Sequence, residues 1–270
     1  MTGARAVAGT NGATLPPEPS PHVQSLGRGL AVIEAFDADH DAMTLSDVAR
    51  RTGLTRATAR RFLLTLVDLG YMRTDGRHFT LTPQVLRLGH AYLSSMGLPD
   101  IAQPHLEALS AQLAESVSVA VLDGSEIVYV ARVATRRIMT VGISVGTRFP
   151  AYATSMGRVL LAALPTEERS KTLLHNDFRA LTDRTITSAT ALEQELVRVR
   201  DHGYSLVDQE LEPGLRSLAV PLVGSAGEVV AALNVSTQVR PVSDDLVETH
   251  LPALRRCAEA ISRDLRSARH

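Results

Sequence analysis

Arginine and threonine side chains are concentrated between residues 44 and 80, where seven Arg stand against three Asp. Arg can form paired hydrogen bonds with guanine or phosphate, and Thr offers a hydroxyl group or a methyl group for thymine. These side chains are suited to reading and anchoring duplex DNA. The candidate DNA-binding residues are Ser46, Arg50, Thr55, Arg56, Ala57, Thr58, Arg60, Arg61, Arg73 and Arg77. The alternative is a solvated, Arg-rich helical surface with no ligand.

The helices predicted around these residues favour DNA binding. Apolar residues at helical spacing predict a first helix over residues 25–36. Thr44 and Asp47 form a capping-box pattern for a second helix, which stops at Gly53. Thr55 then caps a third helix, so the clustered Arg and Thr side chains fall in its first turns. A tight turn therefore joins two helices, and the second carries the candidate base contacts.

A hairpin completes the pattern. Strands are predicted at 71–74 and 78–82 around an Asp-Gly turn. We therefore predict a winged helix-turn-helix over residues 22–82. A linker helix follows over 83–97, beginning at a proline that suits a first helical position. Residues 1–21 contain several prolines and little apolar surface, and predict a disordered tail.

Residues 98–270 predict a second domain with a different pattern. Strands occur as hairpins, at 116–122 with 126–133 and at 215–223 with 228–237. Strands joined as hairpins form antiparallel sheets, so we predict an α+β domain with helices flanking the sheet. The other predicted elements are a helix over 101–115, a strand at 138–145, helices over 154–164, 166–175 and 191–202, and a final helix from Ser243 that is broken or kinked at Pro252.

The composition excludes several classes of protein. The chain has 270 residues, a net charge of −1 and a single cysteine, Cys257, so it has no internal disulfide and no thiolate cluster for zinc. No apolar run approaches the roughly 18 residues of a membrane helix, and the N-terminus has no apolar core of a secretion signal. These features predict a cytoplasmic protein with no membrane contact.

Three segments resemble the IclR family of bacterial transcriptional regulators. They are the helix-turn-helix segment 44–63, the segment 149–162 that contains Thr154-Ser155-Met156-Gly157, and the segment 203–222 that contains Asp208-Gln209-Glu210. Shorter segments are similar to the branch that regulates protocatechuate, 4-hydroxybenzoate and β-ketoadipate catabolism. These segments are 92–95, 121–124, 129–133 and 135–139.

The resemblance implies a GAF-like effector domain after the linker helix. It also implies homodimers or homotetramers that bind a pseudo-palindromic operator on double-stranded DNA. By position, the family's effector pocket maps onto Ser155, Met156, Asp208, Leu215, Ser217, Asn234 and Ser236. The effectors of this branch carry carboxylates, so a cation should be near. The candidates are Arg136, Arg137, Arg148 and Arg216. The alternative is that Thr154 only caps a helix and that Asp208 pairs with Arg216.

The sequence contains no recognisable catalytic motif. It lacks H-E-x-x-H, a P-loop and G-x-S-x-G. Glu210 and Glu212 would share one side of an extended chain, but we expect them at the surface or at the lip of the pocket. We predict a regulator that is not an enzyme and that uses no metal or cofactor. The rival interpretations are an enzyme with an accessory DNA-binding module, a constitutive DNA-binding protein whose second domain only oligomerises, and a regulator of a different organic acid. The choice between activator and repressor stays open.

Overall fold

A computed structural model describes residues 23–89, 92, 97–135, 143–174, 177–239 and 245–268. The chain forms two compact units, one up to His90 and one from Ala91. The predicted tail over 1–21 lies outside the described residues. No helix in the described ranges combines the length and the apolar character needed to cross a bilayer.

Three helices form the first unit, and their ends follow the predicted signals. Helix α1 spans Gln24–Glu34, α2 spans Leu45–Thr52 and α3 spans Arg56–Asp68. Thr44 forms the complete capping box with Asp47, and Gly53 ends α2 with a φ of 65°. The Thr55 side chain accepts a hydrogen bond from the Thr58 N–H and begins α3. A small apolar core holds the helices together, and its buried residues include Val32, Met43, Val48, Leu63 and Phe79.

A three-stranded antiparallel sheet forms the wing. Its strands are β1 (Ala42–Thr44), β2 (Met72–Thr74) and β3 (His78–Leu81), in the order β1-β3-β2. The hairpin agrees with the predicted one, while β1 was not predicted because three residues carry no readable alternation. Pro83–Val85 form a 3₁₀ turn and residues 86–89 are helical. The rest of the predicted linker helix, except Tyr92 and Gly97, lies outside the described residues.

The second unit is built on a six-stranded antiparallel sheet. Its strands are β4 (Ser116–Asp123), β5 (Glu126–Val133), β6 (Arg148–Pro150), β7 (Ser205–Asp208), β8 (Leu215–Val223) and β9 (Val229–Gln238), in the order β6-β5-β4-β9-β8-β7. Its helices are α4 (Leu98–Leu113), α5 (Ser155–Ala163), α6 (Thr166–Leu174), α7 (Ala189–His202) and α8 (Leu246–Ser267). The predicted α+β class is confirmed.

Helices cover both faces of this sheet. On one face, α4 and α8 pack against Val119, Leu218 and Leu233. On the other face, α5 packs over Ala120 and Ala219, and α7 packs against α5. Successive residues of a strand point to opposite faces, so the central strands β4, β5, β8 and β9 each contribute to two separate cores.

Three predicted details differ from the structure. Helix α8 runs continuously from Leu246 to Ser267, although Pro252 lies inside it and removes one N–H from the helical hydrogen bonding. The predicted strand at 138–145 falls mostly outside the described residues, and residues 143–147 form a loop and turn. Residues 209–214 are not extended, since Gln209 has a φ of 62°.

Candidate functional site

The first turns of α3 present a basic surface. Ala59, Leu63 and Leu66 face the core, which turns the opposite side of the helix to solvent. The exposed residues there are Thr55, Arg56, Ala57, Arg60 and Arg61, with Thr58 partly buried. Within the described residues, none of these three arginines forms an ion pair, so their charges remain available to a ligand.

Two more candidates lie on the preceding helix. Ser46 and Arg50 are both exposed on α2. The Arg50 guanidinium pairs with the carboxylate of Asp47 at 2.9 Å. Hydrogen bonds from Thr44 hold the pKa of Asp47 below its usual value, and the neighbouring Arg50 contributes. The ion pair with Asp47, a residue of the capping box of α2, therefore orients the Arg50 side chain.

The tip of the wing is organised by one aspartate. The Asp75 carboxylate accepts hydrogen bonds from the backbone N–H groups of Arg77 at 2.8 Å and His78 at 2.6 Å. These bonds lower the pKa of Asp75 to about 2. Arg73 and Arg77 are exposed on this hairpin, and the Arg73 Nε donates to the Thr80 hydroxyl at 3.0 Å. The wing thus presents two cations on a fixed turn.

Four of the predicted effector residues meet on one face of the large sheet. Ser155, at the start of α5, donates to the Ser217 hydroxyl of β8 at 2.9 Å, which ties the helix end to the sheet. Ser217 stands opposite Ser236 in the β8–β9 register. The Asn234 amide donates to the Ser236 hydroxyl at 3.0 Å. Met156 is buried in the core beneath α5, and Leu215 is buried at the start of β8.

Asp208 and Arg216 are not brought to this face. They stand opposite each other on β7 and β8, and Arg216 precedes Ser217 by one residue. Since successive side chains of a strand alternate, Asp208 and Arg216 lie on the opposite face of the sheet from Ser217. The Asp208 carboxylate pairs with Arg184 at 2.8 Å and with the Arg216 Nε at 3.4 Å. This is the arrangement that a purely structural role for Asp208 would give.

Arg148, another predicted cation that the structure describes, does not reach the face that holds Ser155 and Ser217 either. Arg148 lies on the edge strand β6, where it pairs with Asp123 at 2.7 Å and Glu126 at 2.8 Å. The hydrogen bonds that the guanidinium donates to these carboxylates raise the pKa of Arg148. Arg136 and Arg137 lie outside the described residues.

Arg132, which was not among the predicted cations, does lie on the face that holds Ser155, Ser217 and Asn234. Arg132 stands opposite Ser118 in the β4–β5 register and donates to its hydroxyl at 3.0 Å. Its Nε is buried and has no hydrogen-bond partner among the described atoms, and burial lowers the pKa of the guanidinium. A charged residue within an otherwise apolar strand was the available signal.

Arg132 belongs to a polar row that crosses the sheet. Paired positions run from Arg132 to Ser118, Asn234, Ala219 and Ser205, on strands β5, β4, β9, β8 and β7. Asn234 and Ser205 are almost fully buried. The Oδ1 of Asn234 and the hydroxyl of Ser205, like the Nε of Arg132, lack a partner within the described part of the chain. Buried polar atoms are normally paired, so these three atoms stand out within the described part of the sheet.

A buried ion pair fixes the end of α5 beside this face. Arg158 is 1% exposed, and its Nη1 and Nη2 donate to the Glu210 carboxylate at 2.8 and 2.5 Å. Its Nε donates to the Tyr152 carbonyl at 2.9 Å. The expected surface position of Glu210 was therefore wrong, because the chain turns at Gln209 and carries the carboxylate inward.

Groups of three or more possible metal ligands do not occur among the described residues. Cys257 is half-buried, and burial raises the pKa of its thiol to about 11, so the thiol is unreactive near neutral pH. Within the described ranges, the unpaired charges and buried polar atoms thus point to binding.

Two family models together cover most of the chain. The model of the bacterial transcriptional regulator IclR C-terminal domain matches residues 90–263, and the model of the IclR helix-turn-helix domain matches residues 25–76. A Pca regulon regulatory protein of Pseudomonas putida is 48% identical over 243 residues, which are 89% of this chain and 82% of that protein.

Solved structures show the same relationship. A transcriptional regulator of Rhodococcus sp. RHA1 matches with a TM-score of 0.81 and 56% identity over 92% of this chain and 100% of that chain. An IclR homologue of Microbacterium hydrocarbonoxydans, crystallised with 4-hydroxybenzoate, matches with a TM-score of 0.80 and 28% identity over 90% and 99% of the two chains. The chain therefore belongs to the IclR family of bacterial transcriptional regulators, which join a helix-turn-helix DNA-binding domain to a domain that senses a small molecule.

Proposed function

We propose that this regulator binds its operator through α3 and the wing, and that a small carboxylate of protocatechuate, 4-hydroxybenzoate or β-ketoadipate catabolism controls this binding. The regulator acts in the bacterial cytoplasm, where the operator DNA is, and it performs no catalysis. Its similarity to regulators supports this role.

The proposed DNA contacts divide by their position. The exposed start of α3 enters the major groove, where Arg56, Arg60 and Arg61 reach guanine edges or phosphates. Ser46 and Arg50 contact phosphates from α2. Arg73 and Arg77 contact the backbone or the minor groove from the wing. Thr55, Ala57 and Thr58 lie in the same first turn of α3 and offer hydroxyl and methyl groups to base edges.

Two copies of the chain bind one operator in this proposal. A homodimer with two-fold symmetry requires two half-sites related by the same symmetry, so we expect a pseudo-palindromic operator. A homotetramer would place two such dimers on DNA. The family relationship supports this assembly.

The polar row carries the proposal for the effector. Arg132 offers a buried, unpaired N–H group on the face that also holds Ser155, Ser217 and Asn234. The N-terminal end of α5 adds a dipole that favours an anion. A carboxylate bound at Arg132 would complete the hydrogen bonding of the guanidinium, and the 4-hydroxybenzoate complex of a family member supports an effector of this class.

Control of DNA binding then follows from linked equilibria. The effector binds one arrangement of the oligomer more tightly than the other, and the favoured arrangement spaces the two α3 helices differently. A coupling free energy of about 1–3 kcal/mol changes operator affinity by roughly five- to 150-fold. By the same linkage, operator DNA changes effector affinity by the same factor.

Fluorescence anisotropy tests this proposal. The full-length protein is titrated onto labelled DNA from its own upstream region, at two salt concentrations, with and without protocatechuate, 4-hydroxybenzoate and β-ketoadipate. We expect salt-sensitive binding that prefers this DNA over a scrambled sequence and that one compound changes. Specific binding that no compound changes would refute the effector class, and the absence of specific binding would refute the regulatory role at this DNA.

A further inference from the structure

A groove lies between helix α8 and the end of strand β8 in the second unit. It has a volume of about 520 Å³, and side chains of both elements line it. Val220 and Ala258, which form part of its floor, belong to the core on the face of the sheet that α4 and α8 cover. Asn234 pairs with Ala219 on the opposite face, so the groove is separate from the polar row.

The floor of the groove is apolar and includes a stretch of sheet edge. Strand β7 pairs with β8 only up to Ala219, so within the described part of the sheet Val220–Val223 have no strand beside them on that side. Pro221 has no N–H group, and the Val223 N–H donates to the Ser262 hydroxyl at 3.0 Å. An added strand would therefore find few backbone donors at this edge. A ligand of the groove has to be recognised by side chains.

The rim of the groove carries three arginines and one glutamate, all exposed on α8. They are Arg255, Glu259, Arg263 and Arg266. The Arg255 Nη2 donates to the His202 carbonyl at 2.8 Å, and the guanidinium lies 6.0 Å from the centre of the Tyr204 ring. These contacts hold one cation in place at the rim. Within the described residues, none of the three arginines forms an ion pair, and Glu259 forms none either.

Exposure alone does not explain why these arginines lack a carboxylate partner. Other exposed arginines of the second unit do form ion pairs, among them Arg148, Arg179 and Arg184. A helix rises by 1.5 Å per residue, so Arg255 and Arg266 are about 16 Å apart along α8. A ligand that meets the whole rim must present negative charges over that length, which is about five residues of extended chain.

We infer that the groove binds an acidic segment of a partner protein. Carboxylates of the segment contact the three arginines, and its apolar side chains cover Val220, Pro221 and Val223. The apolar floor and the Glu259 carboxylate disfavour a sugar–phosphate backbone, and a small anion is too short to span the rim. Neither the proposed operator contacts nor the proposed effector site uses this surface, so the inference goes beyond the proposed function.

Fluorescence anisotropy with a labelled peptide tests the inference on the full-length protein. The probe is a twelve-residue peptide in which Asp-Glu-Leu is repeated four times, and the comparison peptide carries Asn and Gln in place of Asp and Glu. We expect the acidic peptide to bind about tenfold more tightly than the neutral one and to lose this advantage as salt is added. Equal binding of the two peptides, or no binding of the acidic peptide, would overturn the inference.

Exposed charges on α8 assign the binding to the groove. Arg263→Gln with Arg266→Gln should weaken binding of the acidic peptide about tenfold. The matched control, Arg179→Gln with Arg256→Gln, also removes two exposed charges from the second unit, but outside the groove, and should leave the affinity within about twofold. Equal losses in the two double variants would show that the peptide senses only net charge, and the inference would fall.

A third variant predicts a change in the opposite direction. Glu259→Gln removes the only carboxylate of the rim and should strengthen binding of the acidic peptide about two- to fivefold. Melting temperature identifies a double variant that fails to fold, and Glu259→Gln then decides. Unchanged or weaker binding in Glu259→Gln would overturn the inference.

Two other occupants of the groove give different results. Sedimentation velocity shows whether Arg263→Gln with Arg266→Gln dissociates the oligomer, which would make the groove an interface between copies of this chain. A scrambled DNA duplex that binds the unaltered protein but not this double variant, without binding of the acidic peptide, would make the groove a nucleic-acid contact. Either result would replace the acidic partner.

Discussion

Single side chains divide into those that hold the fold and those that are left unpaired. Arg51, Arg148 and Arg158 all form ion pairs with carboxylates. Arg60 and Arg132 differ from them, because their charges have no carboxylate partner in the described ranges. An arginine without a carboxylate partner is inexpensive at the surface but costly where it is buried. Arg60 is therefore the simpler test of DNA binding, since its removal should not affect folding.

Replacement of Arg60 by Ala should weaken operator binding by about five- to 150-fold for each half-site that Arg60 contacts, which corresponds to the loss of one good base or phosphate contact of about 1–3 kcal/mol. Arg256→Ala removes the same charge from an exposed position of α8 in the second unit and serves as the matched control in an anisotropy titration. The melting temperature should stay unchanged in both variants. Wild-type affinity in Arg60→Ala would place DNA recognition elsewhere.

The wing turn should respond to acid. The pKa of Asp75 is about 2 in the folded protein, against 3.8 for an unperturbed Asp carboxyl group. It is lowered because the ionised form accepts hydrogen bonds from the N–H groups of His78 and Arg77. A lowered folded pKa means that the stabilisation is complete above about pH 4 and is lost as pH falls towards 2. An NMR titration of the Arg77 and His78 amides should show this midpoint. A midpoint near 4 would show that the turn does not depend on the ionised carboxylate.

Helix starts could be predicted from the sequence, whereas the alignment of strands in the large sheet could not. Capping signals at Thr44, Thr55 and Thr154 correctly predicted where three helices begin, because a cap depends on residues close in sequence. The row from Arg132 to Asn234 could not be predicted in the same way. It depends on the register of strands far apart in sequence and on an irregularity between Val119 and Ala120 that shifts the pairing. Local chemistry is readable in a sequence, while alignment across a sheet is not.

Helix α5 approaches its neighbouring segment closely at one glycine. A Cβ atom at Gly157 would lie 2.2 Å from the carbonyl oxygen of Ala151, which is backbone and cannot rotate away. We expect Gly157→Ala to lower the free energy of unfolding by about 1–3 kcal/mol or more and to reduce effector binding, since α5 carries Ser155. Gly27→Ala, in α1 with open space around it, should cause no such loss. Urea denaturation of both variants measures the difference, and equal stability would show that α5 can shift freely.

Removal of one partner from the buried pair that anchors α5 should be strongly destabilising. Arg158→Met leaves the Glu210 carboxylate buried without its partner, and we expect a loss of roughly 3–5 kcal/mol of unfolding free energy. Arg179, whose side chain forms an exposed pair with Asp177, gives the control, because Arg179→Met should cost less than about 1 kcal/mol. Thermal unfolding of the two variants compares them. Similar melting temperatures would mean that water or another group replaces Arg158.

For the whole molecule, symmetry makes a quantitative prediction about salt. Each phosphate contact contributes about −0.9 to the slope of log affinity against log salt concentration. If Arg61 contacts a phosphate in both copies of a dimer, Arg61→Ala should reduce this slope by about 1.8. Anisotropy titrations across a salt series measure the slope for the full-length protein. A change near 0.9 would indicate that only one copy engages the DNA through Arg61.

The large sheet has one consequence for how the ligand preference of such a regulator can evolve. Asn234 faces the polar row, while its neighbours Leu233 and Val235 belong to the core that α4 and α8 share. Of these two helices, α8 packs directly on β9. A substitution that retunes ligand preference therefore alters a strand that also supports this helix. Directed evolution for a new effector should yield biosensors whose expression without ligand has shifted as well. Recovering a low background should then require second substitutions, and α8, which also packs against α4, is the helix in which to look for them.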